Sequence, residues 1–486
     1  MKGDFTRDSF EPLRHYTRVA MQQGRVQLDA DWNEQASITQ HYLRTLARDL
    51  IGPCGGPVDN CGFAVITDPK GLDSLTDAYG RPLGRARLEE IRERLASGDF
   101  LIGAGRYYVE GLLCENEAPL AYTEQPGYPF DDGTALENLR GPGQLLMYLD
   151  VWERHVSAAE DPDIVEVALG GPDTATRVQL VWQVKVIRAD EPQECGNISA
   201  LRRISLPSVR AKAELSHDIA DSRVIGPHAR YRGVENRLYR VEIHRGGHAR
   251  AAGAGPSGAT FKWSRENGSV VFQILDVSPD IPAGQTTVKV ATLGHDQRSG
   301  LTVGDVVELV DDAYALRESA EPLHIVDSIN RDRLEVVLSG VGSGSTGQDS
   351  RLHPLLRRWD HGGEVPAKDN TGGAVLINEA TGIDDGWIGL EEGVAVQFAA
   401  PSVDAQPNEY RSGDYWLIPA RTAIGDVVWP QHQEGDRLEP EMRPPRGVQH
   451  HYAALALATV GRDGAVVVDS PDCRSMFYTM PRTNGA

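Results

Sequence analysis

Long apolar runs are the first thing missing from this chain. No stretch stays hydrophobic long enough to cross a bilayer as a helix. The opening, MKGDFTRDSFEPLRHY, has no apolar core of the kind a secretory leader carries, so synthesis in the cytoplasm without a signal peptide is expected. A cationic excess is missing too. Lysine and arginine number 49 against 70 aspartates and glutamates, a net charge of -21. That balance argues against nonspecific nucleic-acid binding, which needs clustered cations to displace counterions. Cysteine is scarce, five in 486 residues, and the odd count reads as mostly unpaired thiols. Cys54 and Cys61 bracket GGPVDN, but Cys114, Cys195 and Cys473 are scattered, without the spacing of a zinc site.

Catalytic signatures are equally sparse. There is no Walker-type phosphate loop, no HExxH zinc helix and no GxSxG nucleophile elbow. Two GxGxxG matches occur, Gly253-Gly255-Gly258 and Gly342-Gly344-Gly347. A dinucleotide fingerprint needs a strand before it and a helix after it. The first match runs into ATFKW and the second sits in a serine-glycine joint, so both read as loops. No cofactor, no resident metal and no enzymatic activity are expected on these grounds.

What the chain does have is turns. Gly 51 and Pro 29 with 40% hydrophobic residues suit many short strands around packed cores. The fold expected is mainly β with a few helices, α+β at the N-terminus, and multi-domain. Small β-sandwich or barrel modules would follow an N-terminal strand-helix docking unit. Composition shifts divide the chain into 1–121, 122–277, 278–341 and 342–486, the third a compact small barrel of closely spaced strands.

The docking unit is MQQGRVQLDADWNEQASITQHYLRTLARDL, residues 21–50. Val26 and Leu28 alternate with polar residues as in a strand. Asp31 and Glu34 have the spacing of a capping box. Trp32, Ala36, Tyr42, Leu43, Leu46, Ala47 and Leu50 fall near a three-four spacing, which predicts one apolar helix face ending at Gly52-Pro53. If that face is buried, Trp32→Ala costs about 3–5 kcal/mol. Asp29, Asp31 and Glu34 also have the look of an acidic site, but capping accounts for two of them.

Further along, a helix is expected over Arg85–Leu95 and a hairpin in FLIGAGRYYVEGLLCENE. LLMYLDVWERHV and RVQLVWQVKVI read as strands, and Glu266-Asn267-Gly268 reads as a hairpin turn within ATFKWSRENGSVVFQIL. His450-His451, with His432 upstream, is the best histidine cluster, though neighbours on a strand face opposite ways. Asp150 with Glu153, and Asp311 with Asp312, read as strand-edge or turn carboxylates. Trp152, Trp182, Trp263, Trp359 and Trp416 are either sugar platforms or core anchors, the latter simpler for Trp182 and Trp263.

Several long blocks, among them MQQGRVQLDADWNEQ, GRYYVEGLLCENE, YLDVWERHV, GVENRLYRVEIH, ATFKWSRENGSVV and DYWLIPART, resemble a bacterial and archaeal family known as a domain of unknown function. Some of its members resemble neighbours of contractile-injection genes. The front block is also similar to the start of phage tail-fibre and baseplate-attached proteins. Arg18, Val19, Gln23, Gly24, Leu28, Asn33, Glu34 and Gln35 fit that pattern, while Met21 and Trp32 depart from it. The resemblance implies a structural, attachment role in a phage-tail-like particle. Arg18, Gln23, Gly24, Leu28, Asp31, Trp32, Asn33 and Glu34 would be the docking residues. The partners implied are other particle proteins and further copies of the chain, a trimer among the forms, with no membrane span. The alternative is a carbohydrate-active or glycan-binding β-protein, and a third reading is a metal-stabilised scaffold.

Overall fold

A computed structural model describes residues 1–478 other than 129–135, 171–172, 190–193, 196–197, 199–205, 215–229, 250–257, 295, 297, 318–319, 343–345, 362–372, 403–405, 436, 463 and 470–471. The chain is mostly β, built from several sheets and one closed barrel, with three α-helices among the described residues. It begins as an arm that leads into helix α1, Asp29–Ile51. Helix α2, Arg85–Ala96, lies where the sequence places it.

Four strands make the first sheet. β1 (Cys54–Pro57), β2 (Gly105–Val109) and β3 (Leu112–Asn116) pair antiparallel, and Met476–Phe477 adds to β1 in parallel. The expected hairpin is therefore present. Its turn is Glu110-Gly111, both at positive φ (49° and 82°), the geometry a tight two-residue hairpin favours.

A second sheet is built on β4 (Gly143–Val156) and β5 (Arg177–Ala189), paired along their whole length. β4 is central, since a strand late in the chain covers its other edge. Both of its faces are buried, so the alternation that marks a half-buried strand vanishes over Leu145–Trp152. On β5, Leu180, Trp182, Val184 and Val186 turn toward the core shared by these two sheets, whereas Val178 is exposed.

The middle of the chain forms a sandwich. β6 (Val209–Ala213) belongs to one layer, and β7 (Arg237–Arg245) with β8 (Thr260–Ser264) to the other. The barrel follows, made by β9 (Val271–Asp280), β10 (Gln285–Val290), β11 (Val306–Val310), β12 (His324–Asn330), β13 (Glu335–Ser339) and β14 (Leu355–Trp359). Its order is β9-β10-β13-β12-β11-β14, closed by β14 on β9. Phe272, Val288, Val307, Val326, Val336 and Leu356 fill the interior.

Asn267 and Gly268 do take positive φ, 50° and 65°, but they do not make a hairpin. β8 pairs with β7 while β9 enters the barrel, so this turn is the joint between sandwich and barrel. The short helix α3, Asp312–Arg317, leaves the barrel and sets Leu316 against Trp152 and Val181 of the second sheet.

The rest of the chain closes what came before. β15 (Val394–Ala399) pairs with β6, and β16 (Tyr415–Arg421) pairs with β7. Tyr239, Trp263, Phe398 and Trp416 meet between these layers. A two-stranded ribbon, β17 (Gln431–Glu434) and β18 (Arg437–Pro440), precedes β19 (His451–Val460), which covers the free edge of β4. Cys195 and Cys473 form a disulfide across 278 residues, which corrects the reading of these two as unpaired thiols. Cys54, Cys61 and the buried Cys114 are free.

Candidate functional site

Residues 25–28 form no strand, and Asp31 and Glu34 form no capping box; both expectations are corrected by the way the arm folds back. α1 starts at Asp29 after an extended Leu28 that supplies no side-chain cap. Asp29 instead accepts from the Thr6 amide (2.8 Å) and the Thr6 hydroxyl (2.5 Å). Burial opposes ionisation of Asp29, but these bonds outweigh it and hold the carboxyl below its ordinary range. Glu34 accepts from the Ser9 hydroxyl at 2.6 Å, and Gln35 accepts from the Val19 amide at 2.9 Å. The first two turns of α1 thus hold the arm, and the charges of Asp29 and Asp31 also suit the positive end of the helix dipole.

The apolar face of α1 is open to water, so the condition for a large cost of Trp32→Ala is not met. Only Ala30 and Ile38 of the helix are buried. Trp32 is 80% exposed and Leu50 77%. Trp32, Ala36, Thr39, Leu43, Leu46 and Leu50 recur at intervals of four, three, four, three and four, and all six are exposed. That is the a/d repeat of a coiled-coil seam, and no helix among the described residues packs on it.

On the opposite side α1 meets the body through polar contacts. Arg44 pairs with Glu153, Arg48 with Glu110 at 2.9 Å, and Gly111 lies under the Arg44 carbonyl. A Cβ on Gly111 would sit 2.3 Å from that oxygen. Of the remaining docking residues, Arg18, Gln23, Gly24, Leu28 and Asn33 are exposed, and Asp31 and Glu34 half-buried. Gln23 and Gly24 (φ 69°) form the turn before the helix.

The arm is anchored at its other end in a cluster of buried charge between β7, β8 and the barrel. Lys2 reaches Glu242 at 3.0 Å, Arg240 meets Glu242 at 2.5 Å, and Lys262 bridges Glu242 (3.4 Å) and Glu308 (2.6 Å). The Tyr314 hydroxyl and Trp359 indole also donate to Glu308, at 2.6 and 2.8 Å. Burial pushes the Lys2 amine down to about 8 despite the attraction of Glu242. Burial opposes ionisation of Glu308, but Lys262 and Lys2 hold it down to about 2. Sequence reasoning missed this cluster. The signal was charge inside apolar strands, in LYRVEIH, ATFKWS and DVVELV, and nothing there pointed to Lys2.

The histidine cluster divides. Asp150 is no strand-edge carboxylate: it sits at the centre of the second sheet, 3% exposed. It accepts from Lys185 (2.6 Å) and bonds His450 Nδ1 (2.7 Å), whose ring packs on Trp152. Burial raises the Asp150 carboxyl, yet His450 and Lys185 bring it below its ordinary range. His451 lies near Glu110, Arg44 and Glu153 on the α1 side. Beside them is a cavity of about 310 Å³ lined by Arg411, Asp414, Gln449, His450, His451 and Tyr452. His432 is elsewhere, on the exposed ribbon. Glu153 does not join Asp150 but pairs with Arg44. Asp311 accepts from the Tyr314 and Gly347 amides, and Asp312 binds Arg154 and His353, so this pair is structural.

Sheets, barrel and open helix together define a β-rich, multi-module protein with an externally presented N-terminal helix. By sequence the chain belongs to a family of unknown function (DUF6519), whose model matches residues 1–203 and 193–477. No curated protein and no solved structure matches it. No helix among the described residues is long and apolar enough to cross a membrane.

Proposed function

We propose that this protein is a structural attachment component of a phage-tail-like particle of the contractile-injection kind, in the manner of a baseplate or tail-fibre protein. It docks through α1 and the arm that carries it. The observation that supports this reading is the exposed six-position seam on α1. A helix that leaves Trp32, Leu43, Leu46 and Leu50 in water gains little from intramolecular packing, and such a face marks an interaction surface. The sheet core behind it and the arm's anchoring at Lys2 give the seam a rigid base. Partners are other particle proteins or further copies of the chain.

Of the tryptophans weighed as sugar platforms, most are packed inside the protein. Trp152, Trp263, Trp359 and Trp416 lie in cores, and the Trp182 indole donates to the Glu115 carbonyl at 2.9 Å.

Deleting the arm would also remove Lys2 from the buried cluster, so the test uses the full chain with Leu43→Asp and Leu46→Asp. The expected outcome is an unchanged unfolding midpoint and loss of co-sedimentation with assembled particles. Particle association that survives both changes would overturn the proposal.

A further inference from the structure

β17 and β18 pair with no other strand among the described residues. A lone two-stranded ribbon is marginal in water, and this one lacks an apolar face to bury: Gln431–Glu434 are all exposed, as is Leu438. Its register does something else. His432 stands directly opposite Glu439, and Glu434 opposite Arg437. Residues two apart share a face of a strand, so His432, Glu434 and Glu439 project together.

His432 Nε2 lies 3.5 Å from Glu434 Oε2, and one ligand atom from each of the three residues lies within 4.8 Å of the other two. Tetrahedral zinc, with bonds near 2.0–2.2 Å, spaces its ligand atoms about 3.3–3.6 Å apart. One edge of that tetrahedron is already set. The other two edges lie within 4.8 Å, between an exposed His432 or Glu434 and a half-buried Glu439. Two glutamates on one face also repel each other. Arg437 stands opposite Glu434 in the ladder. Arg210, which faces them from β6, gives its guanidinium to Gln397 and the Gly382 carbonyl.

We propose that His432, Glu434 and Glu439 bind a divalent cation of the zinc class, which staples β17 to β18. One imidazole nitrogen with two carboxylates suits such an ion better than calcium, which takes six to eight oxygens. Water completes the coordination shell. The site is independent of the α1 seam and does not rest on the attachment reading.

Calorimetric titration of Zn²⁺ into the purified full chain, with Mg²⁺ as competitor, tests it. One site per chain is expected, insensitive to Mg²⁺. His432→Ala and Glu439→Gln should each weaken it by at least about tenfold, while the unfolding midpoint without metal stays the same. The proposal is overturned by absence of Zn²⁺ binding or by undiminished binding in His432→Ala. It is overturned equally if binding is lost on Cys61→Ser and not on His432→Ala.

Discussion

Trp32 is the largest side chain of α1, and water covers most of it. A tryptophan anchored in a core costs several kcal/mol to truncate, but an exposed one does not. Trp32→Ala should therefore shift unfolding stability by no more than about 0.5 kcal/mol, read by urea denaturation. A loss of several kcal/mol would mean that the residue is buried. Glu308 is the opposite case. Its carboxyl, held down to about 2 in the folded chain against an ordinary 4.5, contributes stability that is complete above about 4.5. That contribution is lost as pH falls from 4.5 toward 2. Stability measured against pH should fall in this window for the parent and fall less for Glu308→Gln. The variant should also be the weaker at neutral pH, because Lys262 loses one of its two carboxylates. Parallel curves would remove Glu308 from the account.

At the scale of elements, the strands were largely legible in the sequence and their partners were not. β5 and the helix α2 follow from periodicity, and β4, β7 and β8 from apolar runs bounded by turn residues, which are local properties. Pairing is not local. Asn267-Gly268 announces a turn by its backbone chemistry, but nothing in those residues says that the strands on either side enter different bodies. The apolar stripe on α1 was legible, and its exposure was not. Periodicity reports which face is apolar and is silent on whether anything covers it. The acidic start of α1 was misread for a similar reason: Thr6 and Ser9, which satisfy Asp29 and Glu34, lie on a separate segment. Seating of α1 can be tested at Gly111. Its positive φ and the nearby Arg44 carbonyl leave no room for a Cβ. Gly111→Ala should cost about 1–3 kcal/mol and speed hydrogen exchange along α1. Unaltered exchange would show that the helix does not rest on this turn.

The whole molecule is held by contacts that cross about half of its length. Lys2 meets Glu242, and Cys195 meets Cys473. Thiol titration of the denatured, unreduced chain should find three free groups, Cys54, Cys61 and Cys114, in place of five. Cys473→Ser should cost about 2–5 kcal/mol in the oxidised protein, since the bond constrains a very long loop of the unfolded chain. Equal stability of variant and parent would show that the link contributes nothing.

Met476–Phe477 lies along β1, and β19 covers β4. This has a consequence for synthesis. When residue 156 leaves the ribosome, the first sheet and the edge of β4 still await strands about three hundred residues downstream. At about 5–20 residues per second, that interval is roughly 15–65 s. During it the nascent chain presents open strand edges and the uncovered apolar core of Leu145, Met147 and Leu149, a target for chaperones or for pairing with another nascent copy.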